Sequence, residues 1–278
     1  MQILVTGYKG FIGSHLYRRL QELGHDVVGY DYDESHGCTP YVAVYDWVIH
    51  VGAISSTTER DVDKIFEYNY DFSIRLFREC HKYSVNMQYA SSASVYGDQQ
   101  QFTEDGPVNP QSPYAWSKYL TERALSIENE GRIKLQGFRY FNVYGDGEDH
   151  KGEQASVFTK FRDQILYENK IVLFENSQNY KRDFVCVDDV VDVHLQMLKC
   201  NESGVFNVGT GVATSFQQVG DLYSESFDTP IEYIAMPDNL KRQYQSYTCA
   251  DNRKINNLVK IDWTMPEQWI SRLLQINS

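Results

Sequence analysis

Apolar residues follow two alternating patterns along the first half of the chain. Short apolar runs such as QILVT (2–6), HDVVGYD (25–31) and DWVIHVGA (46–53) predict buried β-strands. Between the runs, apolar residues recur at helical spacing, as at Ile12, Leu16 and Leu20. Strands and helices that alternate in this way form a parallel sheet with helices on both faces. The pattern therefore predicts an α/β fold with a Rossmann-type, doubly wound parallel sheet.

The alternation becomes less regular after residue 146. IVLFENS, RDFVCV and IEYIAMP still read as strands, and the segments between them read as helices. We therefore expect a sheet domain over residues 1–146 and a smaller α/β C-terminal lobe over 147–278, interleaved with the sheet. The pattern also predicts one strand over 133–145. The stretch between Asp31 and Asp46 is too short for a full helix and strand, so we expect a trimmed sheet there.

A glycine-rich loop, GYKGFIG, directly follows the first predicted strand and opens the first helix. Gly7 permits a tight turn, Gly10 lets backbone approach a pyrophosphate, and Gly13 permits close packing of helix on strand. The free N–H groups at the helix start favour an anion. A glycine triplet alone is weak evidence, but its position between strand and helix predicts dinucleotide binding.

Asp31 ends the second predicted strand, where an acid accepts hydrogen bonds from the ribose hydroxyls and repels a 2′-phosphate. Asp33 and Glu34 add negative charge beside it. Lys9 acts in the opposite direction if it reaches a 2′-phosphate, although a solvated loop lysine is the simpler interpretation. The cofactor predicted by these residues is NAD or NADP, with NAD favoured.

A phenol and an ammonium lie one helical turn apart in SPYAWSKYL, at Tyr114 and Lys118. A tyrosine acts as a base near neutral pH only if its pKa falls far below its ordinary value of about 10. A neighbouring ammonium favours such a fall. Ser92 ends the strand NMQYASS and can orient a substrate hydroxyl. The three residues together predict proton abstraction coupled to hydride transfer, whereas a solvated helix face is the simpler alternative for the pair alone.

Composition narrows the class of protein. The formal net charge of −12 argues against nucleic acid as a partner, because phosphate contacts need clustered Lys and Arg. The five cysteines lack CxxC spacing and predict free thiols, with no disulfide framework and no metal site. The chain contains no long apolar run and no signal-like start, so we expect a cytoplasmic protein without membrane contact.

Seven further blocks carry a resemblance that covers nearly the whole chain: GAISSTTER, YASSASVYG, FRYFNVYG, HKGEQASV, LFENSQNYKRDFV, GVFNVGTG and PDNLKRQYQSYT. With the glycine loop they resemble the ADP-L-glycero-D-manno-heptose 6-epimerases, a branch of the extended short-chain dehydrogenase/reductase family. The resemblance implies a nucleotide-diphosphate-sugar substrate and a homo-oligomer. It also implies transient oxidation of one sugar carbon, followed by return of hydride to the opposite face.

The resemblance also implies roles for individual residues. It makes Tyr114 and Lys151 the two acid–base groups, with Ser92 and Lys118 completing the catalytic set. The implied cofactor residues are Gly7, Gly10, Phe11, Ile12, Gly13, Asp31, Tyr32, Val51, Gly52, Ala53, Ile54, Ser55, Asn69, Lys118 and Val143. The implied substrate residues are Asn142, Glu153, Lys160, Phe174, Glu175, Asn176, Ser177, Arg182 and Tyr244. Arg182 also fits a diphosphate on chemical grounds, because a guanidinium offers a fork of donors.

Three departures from the family pattern leave alternatives open. Glu153 stands where the family has Ser, Lys160 stands where it has His, and DYDESHGCTP carries no basic residue although the family is typically NADP-dependent. The alternatives are another nucleotide-sugar 4-epimerase, a reductase or a 4,6-dehydratase. Dehydration is disfavoured because no acid adjoins Ser92. A non-catalytic dinucleotide-binding protein is a further alternative, which the intact Ser92, Tyr114 and Lys118 disfavour.

Overall fold

A computed structural model describes residues 1–56, 59–238 and 245–276. Its strands are β1 (Gln2–Thr6), β2 (Asp26–Tyr30), β3 (Trp47–His50), β4 (Asn86–Ser92), β5 (Leu135–Tyr140), β6 (Asn142–Tyr144), β7 (Ile171–Phe174), β8 (Lys181–Cys186), β9 (Gly204–Val208), β10 (Ala213–Ser215) and β11 (Ile231–Ile234). Its α-helices are α1 (Phe11–Glu22), α2 (Val62–Phe66), α3 (Phe72–Tyr83), α4 (Pro113–Asn129), α5 (Val157–Glu168), α6 (Val187–Met197), α7 (Phe216–Phe227), α8 (Arg253–Asn256) and α9 (Pro266–Ile276). A π-helical turn over Glu67–Asp71 joins α2 to α3, and 3-10 turns cover Ala93–Tyr96, Asp149–Gln154 and Ser177–Asn179.

A parallel sheet with strand order β2-β1-β3-β4-β5-β9 forms the centre of the fold, which confirms the predicted fold class. Successive residues of a strand point to opposite faces, and both faces are covered by helices. In β1, Leu4 packs in the cluster that holds Phe77 of α3. Ile3 packs in the opposite cluster, with Leu16 of α1 and Val191 of α6. Burial on both faces explains why the strands read as continuous apolar runs.

The sheet ends at β2, as the short stretch after Asp31 predicted. Residues 31–46 form turns and irregular backbone, so no further strand pairs with the outer side of β2 among the described residues. Val42, from this stretch, is buried in the core cluster under α3. The segment therefore packs on the α3 face of the sheet without adding a strand to it, which leaves Asp31 at the open end of β2.

The prediction of a single strand over 133–145 was wrong. β5 ends at Tyr140 in the central sheet, and β6 pairs with β8 in a second, three-stranded sheet of order β10-β8-β6. The chain changes sheets at Phe141, whose N–H donates to the carbonyl of Val208 in β9 at 3.0 Å. Phe141 alone separates the two strands and no turn residue lies between them, so the sequence pattern contains no mark of the change.

The C-terminal residues serve both parts of the molecule. β9 supplies the sixth strand of the central sheet, and α6 packs against α1. Other C-terminal elements pack around a separate aromatic core. In this core the Tyr144 and Phe158 rings stack at 3.8 Å, and Trp269 packs edge-on against both. The sheet formed by β7 and β11 borders this core. No helix in the described part of the chain combines the length and apolar character needed to cross a bilayer.

The glycine loop is packed too closely for side chains. Gly7 has φ +73°, and a Cβ there would lie 2.3 Å from the Cα of Gly52. A Cβ on Gly13 would lie 2.0 Å from the carbonyl oxygen of Gly7. This contact brings the start of α1 against the end of β1, at the edge where the parallel strands end.

Gly13→Ala and Gly10→Ala separate two roles within this loop. At Gly10 the added carbon would lie 3.3 Å from the Gly7 carbonyl, which needs only a small adjustment. We expect Gly13→Ala to lower the free energy of unfolding by about 3 kcal/mol and Gly10→Ala by under about 1 kcal/mol. Urea denaturation of the cofactor-free protein measures both values. Equal losses would contradict the assignment of close packing to Gly13.

Candidate active site

Two adjoining cavities lie at the carboxyl ends of the parallel strands. The larger has a volume of about 810 Å³ and extends from the glycine loop into the C-terminal lobe. The smaller, of about 220 Å³, lies over the end of β2. Gly10, Val51 and Ala53 line both cavities, so the two form one continuous cleft. Ligands of doubly wound sheets bind at this edge.

The start of α1 presents backbone donors to the cleft. Gly10 is the N-cap and, as glycine, offers no side chain to occupy the first N–H groups of the helix. Phe11, Ile12 and Gly13 line the larger cavity beside it. A diphosphate fits here, because the glycines let backbone approach it and the helix N-terminus favours an anion. The residues present therefore fit a dinucleotide.

Acidic and aromatic residues surround the smaller cavity. Asp31 and Tyr32 line it, as do Gly52 and Ile54. The ring centroids of Tyr32 and Tyr68 are 4.2 Å apart, and Tyr68 donates to Asp33 at 2.7 Å, which raises the pKa of Tyr68 to about 12.

Lys9 forms an ion pair with Glu34. Pairing with Glu34 offsets the positive charge of Lys9, which would have favoured a 2′-phosphate. The remaining acids, Asp31 and Asp33, leave this end of the cleft negative. The geometry therefore adds to the preference for NAD that the sequence predicts.

Asn69 lies behind the cleft and lines neither cavity. Its Oδ1 accepts the Ile54 N–H at 2.8 Å, and its Nδ2 donates to the Ile54 carbonyl at 3.0 Å and to Ser117 Oγ at 3.1 Å. Ser117 in turn donates to the Tyr114 carbonyl at 2.7 Å. Asn69 thus fixes the 51–55 loop to α4 from within the π-helical turn, a feature frequent at functional sites.

Ser92, Tyr114 and Lys118 meet in the wall of the larger cavity. Ser92 is the last residue of β4. On α4, Ser112 is the N-cap and accepts the Ala115 N–H at 3.2 Å, while Pro113 takes the first helical position. This capped start fixes the phase of α4, which directs Tyr114 and, one turn later, Lys118 toward β4.

The expected acidification of Tyr114 is not found in the protein alone. Burial raises the pKa of Tyr114, and only hydrogen bonding with Ser92 opposes the rise. The ammonium of Lys118 donates instead to the carbonyl of Ala90 at 3.0 Å. Burial lowers the pKa of Lys118 to about 8, opposed by the carboxylate of Glu122. In the protein alone, burial therefore determines the direction of the shift, and acidification of Tyr114 by Lys118 together with an oxidised nicotinamide ring stays a prediction for the cofactor-bound protein.

A buried ion pair supports this wall. Arg139 donates from Nη2 to Glu122 Oε2 at 2.7 Å and from Nε to Oε1 at 2.9 Å, and both side chains are buried. Ser91 donates to the same carboxylate, and Arg139 also donates to Tyr96 at 2.9 Å. The pair joins β4, α4 and β5 at the point where the catalytic candidates lie.

Lys151 enters the same cavity from the 3-10 helix Asp149–Gln154. Its Nζ donates to Glu148 Oε2 at 2.9 Å and lies 4.6 Å from the ring centroid of Phe11. The side chain of Glu148 is completely buried. Lys151 is therefore held beside the start of α1, in the cavity that also contains Tyr114.

The residues expected to bind substrate are only partly brought together. Asn142, Lys160, Phe174 and Ser177 line the larger cavity, as do Ser55 and Val143 from the cofactor set. Glu153, Glu175 and Asn176 are exposed and lie outside both cavity linings.

Arg182, another predicted substrate residue, lines neither cavity. Arg182 is buried behind the wall, 5.6 Å from the ring centroid of Phe216, and donates to the Lys181 carbonyl at 2.8 Å. Phe216 is the residue that faces the cavity at this point. Tyr244 lies outside the described residues.

Several cleft residues were missed by the sequence analysis: Tyr140, His150, Gln154, Phe161, Gln164, Val172, Tyr180, Phe184, Phe216, Ile234 and Met236. Most are apolar or aromatic and read as core positions. Tyr140 carried a usable signal, since it lies inside FRYFNVYG, a motif that the sequence analysis singled out. Tyr140 is joined to the buried His194 at 2.6 Å, and His194 is joined to Gln88 at 2.7 Å.

Comparison with known proteins matches this geometry to a family. Residues 3–209 match the model of the NAD dependent epimerase/dehydratase family. The chain belongs to this family. A relative from Brachyspira hyodysenteriae, named ADP-L-glycero-D-manno-heptose-6-epimerase, is 36% identical over 91% of this chain and 90% of its own. The predicted resemblance to the heptose epimerases is thereby confirmed.

Solved structures of the family agree with this assignment. The Helicobacter pylori ADP-L-glycero-D-manno-heptose-6-epimerase has a TM-score of 0.86 at 25% identity, over 100% of this chain and 96% of that one. A UDP-glucose 4-epimerase from Thermus thermophilus, solved with NAD, has a TM-score of 0.83 at 25% identity, over 99% of each chain. Membership of an NAD-dependent family confirms the predicted nicotinamide dinucleotide cofactor.

Replacement of Lys118 by Met should stabilise the cofactor-free protein at neutral pH. The folded pKa near 8 lies below the ordinary lysine value of about 10.4, so the folded state binds the proton less readily than the unfolded state. Burial of the ammonium therefore lowers the free energy of unfolding by about 3 kcal/mol, reduced by what the hydrogen bond to Ala90 contributes. This loss is fully present below pH 8 and disappears as the pH rises to about 10.4. Denaturation from pH 7 to pH 10.5 measures it.

Lys199→Met is the matched control, because Lys199 is exposed. We expect the Lys118 variant to gain stability at pH 7 and to lose that gain toward pH 10, and the Lys199 variant to do neither. A gain that did not change with pH would show that the ammonium is not desolvated in the folded protein.

Proposed function

We propose that this chain is a nucleotide-sugar epimerase that acts through transient oxidation, with ADP-glycero-manno-heptose as substrate and carbon 6 of the sugar as the inverted centre. The observation that carries the proposal is the convergence of Ser92, Tyr114, Lys118 and Lys151 on one cavity that begins at the glycine loop. The relative at 36% identity, named as a heptose 6-epimerase, supports the choice of sugar.

The chain's residues divide the chemistry between proton transfer and binding. A bound nicotinamide dinucleotide would supply a hydride acceptor for the sugar carbon and a donor for the return of that hydride. Ser92 orients the reacting hydroxyl, and Tyr114 receives the proton of that hydroxyl. Lys118 assists this transfer from the same helix face. Lys151 is the second acid–base group, so the hydroxyl can lose or regain its proton in either configuration. No net oxidation results, because the hydride returns to the same carbon.

Further residues are proposed to hold the two ligands. Gly7, Gly10 and Gly13 with the 51–55 loop would hold the cofactor, and Asp31 would accept from its ribose hydroxyls. Asn142, Lys160, Phe174 and Ser177 line the part of the cleft left for the sugar nucleotide. Lys160 offers an ammonium for the diphosphate or for sugar hydroxyls. Glu153, Glu175, Asn176, Arg182 and Tyr244 are proposed as more distant substrate contacts.

A 4-epimerase or reductase of another nucleotide sugar is the alternative. It is supported by the similarity of the fold to the UDP-glucose 4-epimerase from Thermus thermophilus and by the presence of Lys160 in the cleft. A reductase differs in its stoichiometry, because it consumes reduced cofactor with each turnover.

Incubation with ADP-heptose, followed by NMR of the sugar, tests the proposal. We expect inversion at carbon 6 without net change in cofactor, and a rate at least about 100-fold lower in Tyr114→Phe. Tyr223→Phe is the matched control, since Tyr223 is buried, donates to the Phe158 carbonyl at 3.0 Å and lies outside the cleft lining.

Two results would count against this assignment. Inversion of a different nucleotide sugar, with ADP-heptose unchanged, would select the 4-epimerase alternative. Equal activity of Tyr114→Phe and the wild-type protein on every sugar tried would remove Tyr114 from the mechanism.

Cofactor preference provides a separate test of Asp31. Asp31→Asn removes the charge that repels a 2′-phosphate, so we expect the ratio of NAD affinity to NADP affinity to fall about tenfold. Calorimetric titration with each dinucleotide measures it. Asp26→Asn, at the exposed start of β2, is the control and should leave the ratio unchanged. A wild-type protein that binds NADP more tightly than NAD would contradict our interpretation of Asp31.

We further propose a division of labour between residues 1–146, which would bind the cofactor, and residues 147–278, which would mainly bind substrate. β9 crosses this division by joining the central sheet. We propose a homo-oligomer in the cytoplasm, without membrane or nucleic-acid partners. Exposed apolar residues on α4, Trp116, Leu120 and Ile127, support self-association. The mass of the particle in solution tests this part of the proposal.

A further inference from the structure

The carboxylate of Glu148 accepts an unusually large number of hydrogen bonds. Its side chain is completely buried. Oε2 accepts from Lys151 Nζ at 2.9 Å and from the Ser156 N–H at 2.8 Å. Oε1 accepts from Ser156 Oγ at 2.6 Å, from the Gly145 N–H at 3.2 Å and from Thr159 Oγ1 at 3.4 Å. A buried carboxylate is tolerated only when paired and hydrogen-bonded in this way.

The five donors come from three segments of the cleft wall. Gly145 follows β6, Lys151 lies on the 3-10 helix, and Ser156 and Thr159 begin α5. Ser156 is the N-cap of α5 but makes no capping bond of its own, because its hydroxyl donates to Glu148. Glu148 therefore fixes the geometry between α5 and the 3-10 helix.

Lys151 is the cation in this set, and its other contact is the ring of Phe11. The lysine stem is long and flexible, so confining it costs rotamer entropy. A buried, fixed carboxylate offsets this cost with a charge-assisted bond. The ammonium is thereby kept at one position in the cavity wall, although its side chain is still 22% exposed.

We propose that Glu148 is a positioning residue, which holds the Lys151 ammonium in place for its step in the reaction. The acid–base role of Lys151 rests on the proposed function, whereas the anchoring of Lys151 by Glu148 does not. Four of the five donors are neutral, so a glutamine can satisfy most of them. Its amide would donate to Ser156 Oγ or Thr159 Oγ1, whose hydroxyls can also accept. We therefore expect Glu148→Gln to fold.

Chemical labelling of lysines tests the anchoring without substrate. The protein is treated briefly with acetic anhydride, and mass spectrometry compares Lys151 with Lys199, an exposed lysine in the same sample. We expect Glu148→Gln to raise the labelling rate of Lys151 at least threefold and to leave Lys199 unchanged. Asp189→Asn is the matched control, since Asp189 is a buried carboxylate that binds Thr264 away from the cleft. An unchanged Lys151 rate in Glu148→Gln would overturn the proposal.

A double-mutant cycle with Lys151→Met tests the consequence for turnover. We expect Glu148→Gln to lower kcat about tenfold with little change in KM, and to have no further effect in the Lys151→Met background. Glu148→Asp keeps the charge and should restore part of kcat. A structural role through α5 alone predicts the opposite, namely the same loss of kcat in both backgrounds together with a change in KM, and that result would overturn the proposal.

The two measurements separate failure of this inference from failure of the proposed function. If the wild-type protein inverts no nucleotide sugar, the labelling result still decides whether Glu148 anchors Lys151. If Glu148→Gln does not fold, Glu148→Asp serves in both measurements. The shorter side chain should then raise Lys151 labelling, and a rate equal to that of the wild-type protein would overturn the proposal.

Discussion

Burial of the Lys118 ammonium against the end of β4 is the constraint on which the rest of the site depends. The ammonium donates to a neutral group, the carbonyl of Ala90, and burial lowers the pKa of Lys118 to about 8. A buried charge without a directly bonded carboxylate is unfavourable, so the surrounding structure must hold it. The bidentate Glu122–Arg139 pair does so, because it locks α4, β4 and β5 together one turn further along the helix.

The state of Tyr114 follows from the same burial. Desolvation raises the pKa of the phenol, so the protein alone keeps it protonated. Under the proposed function, an oxidised cofactor would bring positive charge that favours the phenolate, in a cavity where charges interact more strongly than in water. The phenol would then become basic only with the cofactor bound. The same desolvation that weakens the fold at Lys118 makes the phenol responsive to binding.

Lys151, on the far side of the cleft, is held in a different way from Lys118. Lys151 is paired with a fully buried carboxylate and rests beside Phe11, at the start of the helix that fits the diphosphate. Lys118 is held by the helix on which it lies, whereas Lys151 lies on a short 3-10 helix and pairs with the residue that caps that helix, Glu148. The carboxylate of Glu148 also binds the start of α5, from which Lys160, Phe161 and Gln164 face the cavity. Under the proposed function, this carboxylate would couple substrate geometry to the position of the second acid–base group.

The sequence by itself determined the parallel sheet, the glycine loop and the positions of Ser92, Tyr114 and Lys118. These features depend on local periodicity, on backbone clearance at glycine and on helix capping, which neighbouring residues decide. Tertiary structure alone decided that the strand over 133–145 divides at Phe141, that Tyr114 is made less acidic, and that the Glu148 carboxylate is buried against the start of α5. Desolvation and long-range pairing depend on residues far apart in the chain, such as Asn69 with Ser117 or Arg139 with Glu122. No local pattern of apolar and polar positions contains that information.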